Sequence, residues 1–308
     1  MSEKPNIFEI TRAKFLFGIL PPIVVGTTTA VYITGEFKPI GLVLVLLIGF
    51  SLQISMQVFN DIYDTMHGSD TDMSIESDYS GGSGVLLEYP ELRIKMLMIG
   101  TIGLITAGIG TLLLLMVIDP ALWLMMIVLL SVAVFLLVFY SAPPFQLAYR
   151  SLGEIAVWLG FGPVIVLISS VGQNLGIHPT LISVIPITGF STLFISWMGE
   201  LVDRRWDEAA GKRGLVLILG VRKSNYIFFL IHILVLINVI YVALIEFDPG
   251  YPILLALIPH VLIFPKYWYH IWNIEEEDNL KKAAWLNFWI YGLFSLALMA
   301  GFFLNLLL

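Results

Sequence analysis

Of the 308 residues, 58% are hydrophobic and only 13% charged, with a mean hydropathy of +0.90, which is more apolar surface than a soluble core of this length can hide. Lipid is therefore the expected solvent for much of the chain. The absence of cysteine excludes disulfides, thiolate nucleophiles and cysteine metal sites, and the net charge of -7 conceals an uneven distribution in which the bases gather in particular connections.

In hydrocarbon every backbone polar group needs an internal partner, so a chain spans either as helices or as a closed barrel. The apolar stretches here run for about 20 residues without the period-2 alternation of barrel strands, which predicts an all-α membrane protein. Met1 to Lys14 is polar. The apolar run after it is long enough to span and lacks a small-residue cleavage pattern, so it reads as a first helix and not a removable signal. Runs at 15–34, 40–59, 94–118, 121–139, 153–171, 179–198, 225–244, 250–265 and 284–307 predict nine transmembrane helices. The eighth run is the shortest and holds Pro252, Pro259, His260 and Pro265, which predicts a kinked or partly interfacial helix. No linker or composition break divides the chain, so residues 1–308 read as a single domain.

Numbering the connections in order puts Lys4, Arg12, Lys14, Arg93, Lys95, Arg150, Arg204, Arg205, Lys212, Arg213, Arg222, Lys223, Lys266, Lys281 and Lys282 on one side of the membrane, and Lys38 alone on the other. The positive-inside rule then places the N-terminus in the cytoplasm and the C-terminus outside. The long, charged connections at 60–93 and 199–224 lie on the cytoplasmic face, and chemistry is expected there.

The second span ends on a polar stripe. Gln53, Gln57, Asn60 and Asp64 recur at intervals of four, three and four and share one helical face, continued by His67, Gly68, Ser69, Asp70 and Asp72. The sixth span repeats the pattern with Ser196, Glu200, Asp203 and Asp207, followed by Glu208. Acids near helix C-termini oppose the macrodipole, and converging carboxylates repel unless a cation joins them. Hard carboxylate and amide oxygens select Mg²⁺, Mn²⁺ or Ca²⁺, and Mg²⁺ characteristically spans one or two carboxylates and a substrate phosphate. Arg204, Arg205, Lys212 and Arg213, with Arg12, Lys14 and Arg150 on the same membrane face, supply the bases of a phosphate clamp.

Other polar residues read as structural. Ser80-Gly-Gly-Ser-Gly84 is not a Walker loop, because no Gly-Lys-Ser/Thr follows, and it reads as a mobile loop more than a phosphate cradle. His232 and His260 stand singly in the seventh and eighth spans and read as packed or hydrogen-bonded histidines. Glu154 follows Gly153 as a helix-start acid favoured by the dipole.

At Asn60-Asp-Ile-Tyr-Asp64 with Gly68 and Asp70, and again at Asp203-Arg-Arg-Trp-Asp207 with Gly211-Lys-Arg213, the chain resembles the UbiA superfamily of intramembrane prenyltransferases. The likeness extends over nearly the whole chain, including Thr11-Arg-Ala-Lys14. Tyr140-Ser-Ala-Pro-Pro-Phe145 followed by Leu147-Ala-Tyr-Arg-Ser-Leu-Gly-Glu154 looks most like the dihydroxynaphthoate polyprenyltransferases of menaquinone synthesis. Glu200 and Val202 stand where those relatives often have Asn and Arg. Ala148 stands where other branches have a phosphate-binding Lys, which leaves Tyr140 and Arg150 as the implied local diphosphate contacts.

The resemblance implies a UbiA-type bundle around a central cavity. It also implies transfer of a polyprenyl group from polyprenyl diphosphate to an aromatic acceptor, 1,4-dihydroxy-2-naphthoate first, in the cell membrane. Asn60, Asp64, Asp203 and Asp207 would be the catalytic Mg²⁺ ligands, with Arg12, Lys14, Asp61, Asp70, Tyr140, Arg150, Arg204, Lys212 and Arg213 around the substrate. The alternatives are 4-hydroxybenzoate or a geranylgeranylglyceryl phosphate lipid as acceptor, or an ion-coupled transporter. Transport sites usually lie near the bilayer midplane, whereas the span centres here hold no Asp, Glu, Lys or Arg. A nucleic-acid partner is not expected.

Overall fold

The computed structural model describes residues 5–70 and 82–308. Lys4 of the basic sorting, Asp72 of the first acidic stripe, and Ser80 and Gly81 of the glycine-rich segment lie outside the described residues.

The described chain is all-helical, and nine helices in it are long and apolar enough to cross a membrane. They are α1 (Ala13–Thr34), α2 (Pro39–His67), α3 (Pro90–Leu115), α4 (Pro120–Phe139), α5 (Gly153–Val171), α6 (Pro179–Ala209), α7 (Val221–Glu246), α8 (Tyr251–Ile271) and α9 (Glu277–Asn305). Proline opens α2, α3, α4 and α6, where its missing N–H is no loss. The expected deviation in α8 takes the form of 3₁₀ turns over Tyr251–Leu257 before the α-helix Ile258–Ile271, which runs six residues past the apolar stretch and carries Pro265 inside it. A π-turn at Gly160–Val164, containing Pro163, interrupts α5.

Lipid offers no hydrophobic drive for helices to associate, so close packing and small residues must hold the bundle. Gly103 of α3 lies so near Ser55 of α2 that a Cβ would overlap its hydroxyl, and the Ser55 Oγ donates to the Gly100 carbonyl at 2.8 Å. Burial separates inner from outer helices. About two-thirds of the core window of α5 and of α6 is buried (67% each), against 17% for α4, so α4 is a lipid-facing wall and α5 and α6 line the interior.

His232 and His260 are not isolated. Their Nδ1 and Nε2 atoms lie 3.1 Å apart, and the His232 ring stacks on Phe194 with centroids 3.8 Å apart. Both rings are buried, so each supplies the polar partner the other needs in a dry interior.

Candidate functional site

Helices α2 and α6 run in the same direction and bring their polar ends together at the mouth of a cavity of about 420 Å³. Asn60, Asp64 and Asp70 line it from one side and Asp203 and Asp207 from the other, with Arg12, Lys14, Tyr140 and Lys212 closing the polar end. Phe17, Phe161, Phe288, Leu293 and Leu296 line the apolar part.

The first stripe is held from several directions. Asn60 Nδ2 donates to Asp64 Oδ2 at 3.1 Å, while Asn60 Oδ1 accepts from Ser141 Oγ at 2.6 Å. Tyr149 Oη donates to Asp64 Oδ1 at 2.9 Å and lies 2.8 Å from Ser69 Oγ. Tyr149 and Ser141 escape a reading by helical spacing because they belong to the turn after α4, where Gln146 and Ser151 take positive φ and swing the chain back over α2. Burial pushes the Tyr140 and Tyr149 hydroxyls above their usual range, so both remain phenols and hydrogen-bond donors.

Lys212 joins the two stripes. After α6 the chain reverses at Gly211, which takes φ +74°, a conformation that favours glycine, and the Lys212 N–H returns to the Asp207 carbonyl at 2.9 Å. The ammonium then reaches Asp207 Oδ1 at 3.3 Å and Asp64 Oδ2 at 3.9 Å, and lies over the Tyr149 ring, 5.5 Å from its centroid. Burial by itself would lower its pKa, but Asp64 and Asp207 outweigh burial and hold Lys212 well above its ordinary value.

Asp61 and Asp70 face the other end of the connection. Asp61 accepts from the Ser83 N–H and hydroxyl, both at 2.5 Å, and Asp70 Oδ1 accepts from the Gly82 N–H at 3.0 Å. The Gly82 and Ser83 amides are therefore turned toward carboxylates. Asp70 Oδ2 is buried with no hydrogen-bond partner among the described residues. Burial, and then the charges of Asp64 and Asp61, push the Asp70 carboxyl up to about 8.

Four of the expected bases stand away from the cavity wall. Arg150, Arg205 and Arg213 are exposed, and Arg204 donates to the Leu201 carbonyl at 2.8 Å. The charge sorting that put them on this membrane face says nothing of which way each side chain turns. Glu154 does open α5 as expected, and its Oε1 also accepts from the Leu215 N–H at 2.9 Å.

The donors that converge are hard oxygens: two carboxylates on α6, a carboxylate and an amide on α2. Among the described residues no three His, Asp or Glu side chains close on one point. Mg²⁺ does not require such a cage, because it keeps waters and takes substrate phosphate oxygens beside one or two carboxylates. Lys212, a cation seated between Asp64 and Asp207, marks where these acids need positive charge, so the site fits a divalent ion.

A profile of the UbiA prenyltransferase family matches residues 19–294. The chain is 26% identical over 235 residues to a 2-carboxy-1,4-naphthoquinone phytyltransferase of Synechocystis, covering 72% of this chain and 71% of the relative. It is 28% identical over 219 residues to a 1,4-dihydroxy-2-naphthoate octaprenyltransferase of Bacillus subtilis, covering 70% of this chain and 66% of that one. Among solved structures, a UbiA homolog of Aeropyrum pernix superposes with a TM-score of 0.68 at 12% identity, over 92% of this chain and 96% of the other. A UbiA homolog of Archaeoglobus fulgidus bound to DMAPP and Mg²⁺ superposes with a TM-score of 0.64 at 18% identity, over 98% and 99% of the two chains.

Proposed function

This chain belongs to the UbiA prenyltransferase family, and we propose that it transfers a polyprenyl group from polyprenyl diphosphate to 1,4-dihydroxy-2-naphthoate with the help of Mg²⁺. The observation that carries the reading is the meeting of Asn60 and Asp64 with Asp203 and Asp207 where a basic rim gives way to an apolar cavity. The acceptor class draws support from the naphthoate relatives of Synechocystis and Bacillus subtilis.

Asn60, Asp64, Asp203 and Asp207 would hold the divalent ion, whose chemistry is to neutralise charge on the departing diphosphate. Lys212, Arg12 and Lys14 supply ammonium and guanidinium donors for its oxygens. Asp70 and Tyr140 line the polar end, Tyr140 as a neutral donor at the border of the apolar part, and Asp61 supports it from behind by holding Ser83. Arg150, Arg204 and Arg213 complete the basic rim around the mouth and attract the anionic donor from that side.

Transfer breaks the allylic C–O bond with its electron pair left on diphosphate, and a ring electron pair of the acceptor forms the new C–C bond. With attack at the ring carbon that bears the carboxylate, the bond from that carbon to the carboxylate breaks, and its electron pair restores the aromatic ring as carbon dioxide leaves. The walls formed by Phe17, Phe161, Leu293 and Leu296 exclude water from the allylic centre and receive the prenyl tail. The basic residues at this end of the bundle support a cytoplasmic mouth and a cytoplasmic N-terminus in a multi-pass membrane protein.

The test is incubation of the purified protein with radiolabelled geranylgeranyl diphosphate, Mg²⁺ and, separately, 1,4-dihydroxy-2-naphthoate, 4-hydroxybenzoate and geranylgeranylglyceryl phosphate. Labelled naphthoquinol product with the first acceptor is expected. Label on either of the others alone would overturn the acceptor assignment.

A further inference from the structure

Two carboxyl groups outside the four expected metal ligands meet behind the loop that carries Lys212. Glu154 on α5 and Glu200 on α6 both reach the backbone of the segment that follows Lys212. Each takes a backbone donor from the loop: Glu154 Oε1 accepts from the Leu215 N–H at 2.9 Å, and Glu200 Oε2 accepts from the Val216 N–H at 3.3 Å. Gly214 presses on the Glu200 carboxyl with no room for a Cβ.

Lys212 is thus fixed at both ends of its loop. On one side its own N–H is bonded to the Asp207 carbonyl; on the other, Ser151 Oγ donates to the Arg213 carbonyl at 2.5 Å, and Glu154 and Glu200 accept from the Leu215 and Val216 amides. A lysine reaches its partner through a flexible four-carbon stem, and holding its head in one place is entropically costly unless the root is rigid.

We propose that Glu154 and Glu200 are positioning residues for diphosphate capture, clasping the Leu215–Val216 end of the loop so that Lys212 presents its ammonium to the leaving group. The assignment rests on the prenyl-transfer reading above. It differs from a role for Glu200, which also borders the cavity, as a base acting on the acceptor. A glutamine at 200 separates the two roles. Its carbonyl still accepts from the Val216 N–H, so the clasp is kept, but glutamine cannot act as a base.

The experiment measures equilibrium binding of radiolabelled geranylgeranyl diphosphate, together with kcat and the KM for each substrate, on the full chain in detergent with Mg²⁺. Glu200→Ala is expected to weaken donor binding and raise donor KM about tenfold, leaving acceptor KM in place. Glu200→Gln should restore donor binding. Gly214→Ala, which disturbs the clasp from the loop side with both acids intact, should reproduce Glu200→Ala. In a Lys212→Ala background Glu200→Ala should add less than about twofold, because both act through the same contact. Fully additive losses in that background, or Glu200→Gln with normal donor binding and abolished kcat, would overturn the assignment. Wild-type protein that neither binds nor transfers the prenyl group would instead overturn the function itself.

Discussion

The Lys212 ammonium lies between two acids of different helices, 3.3 Å from Asp207 and 3.9 Å from Asp64. It neutralises part of the charge that a divalent ion would share, and it is also a donor for the diphosphate. The two roles predict opposite effects of Lys212→Ala. Prenyl diphosphate binding should weaken by about tenfold, the loss of one charge-assisted contact. Mn²⁺ binding without substrate, followed by electron paramagnetic resonance, should tighten, since a competing cation has gone. Weakened Mn²⁺ binding would show that Lys212 props the acids in place.

Asp64 and Asp207 carry the second prediction. Each contributes a carboxylate from one of the two facing helix ends, so neither can substitute for the other. Asp64→Ala or Asp207→Ala should lower kcat by about 10³-fold, the scale of losing a preorganised electrostatic partner of the leaving group. Both variants should stay folded, because the apolar packing of α2 and α6 is untouched. Turnover within about tenfold of wild type in either variant would remove that residue from the metal site.

The long-range order of the bundle was legible because lipid forces a simple code: apolar runs of about 20 residues, bases on one side. The paired stripes were legible for the same reason, since Asn60 and Asp64, like Asp203 and Asp207, sit one helical turn apart. What escaped depends on contacts between elements. Tyr149 reaches Asp64 across 85 positions through a turn with positive φ at Gln146 and Ser151. His232 and His260 pair because α7 and α8 face each other at that depth, and nothing in either helix alone announces it. Side alone could not separate Lys212, which turns into the cavity, from Arg150 and Arg213, which do not.

Asp70 gives a pH dependence. Its carboxyl is pushed from 3.8 up to about 8, first by burial and then by Asp64 and Asp61. A raised acid binds more protons in the folded state than in the unfolded one, so stability falls as pH rises between those two values. The favourable contribution is fully present below the unfolded pKa and lost once pH passes about 8. The melting temperature of the metal-free protein in detergent should therefore drop on going from mildly acidic to mildly alkaline buffer. Asp70→Asn, which cannot ionise, should flatten that drop. An unchanged pH slope in the variant would assign the dependence to other groups.

The apolar part of the cavity makes a prediction about donor length. Gly292 of α9 lines the cavity, and a Cβ built there meets nothing within 4 Å, so a larger side chain projects into open space without straining the helix. On the same helix, Leu293 and Leu296 line the cavity and are exposed, so a long tail is expected to run along α9. Gly292→Leu should leave the short donor dimethylallyl diphosphate close to its original kcat/KM. Geranylgeranyl diphosphate should lose about tenfold or more, because a filled apolar channel excludes added methylenes at a cost of about 1–3 kcal/mol. Helix propensity favours leucine over glycine, so the variant should be at least as stable as the parent, and a selective loss for the long donor cannot then be ascribed to unfolding. Equal losses for both donors would move the tail away from α9 and toward the smaller apolar recess between α4 and α5, lined by Ala133, Leu136, Leu137 and Val164.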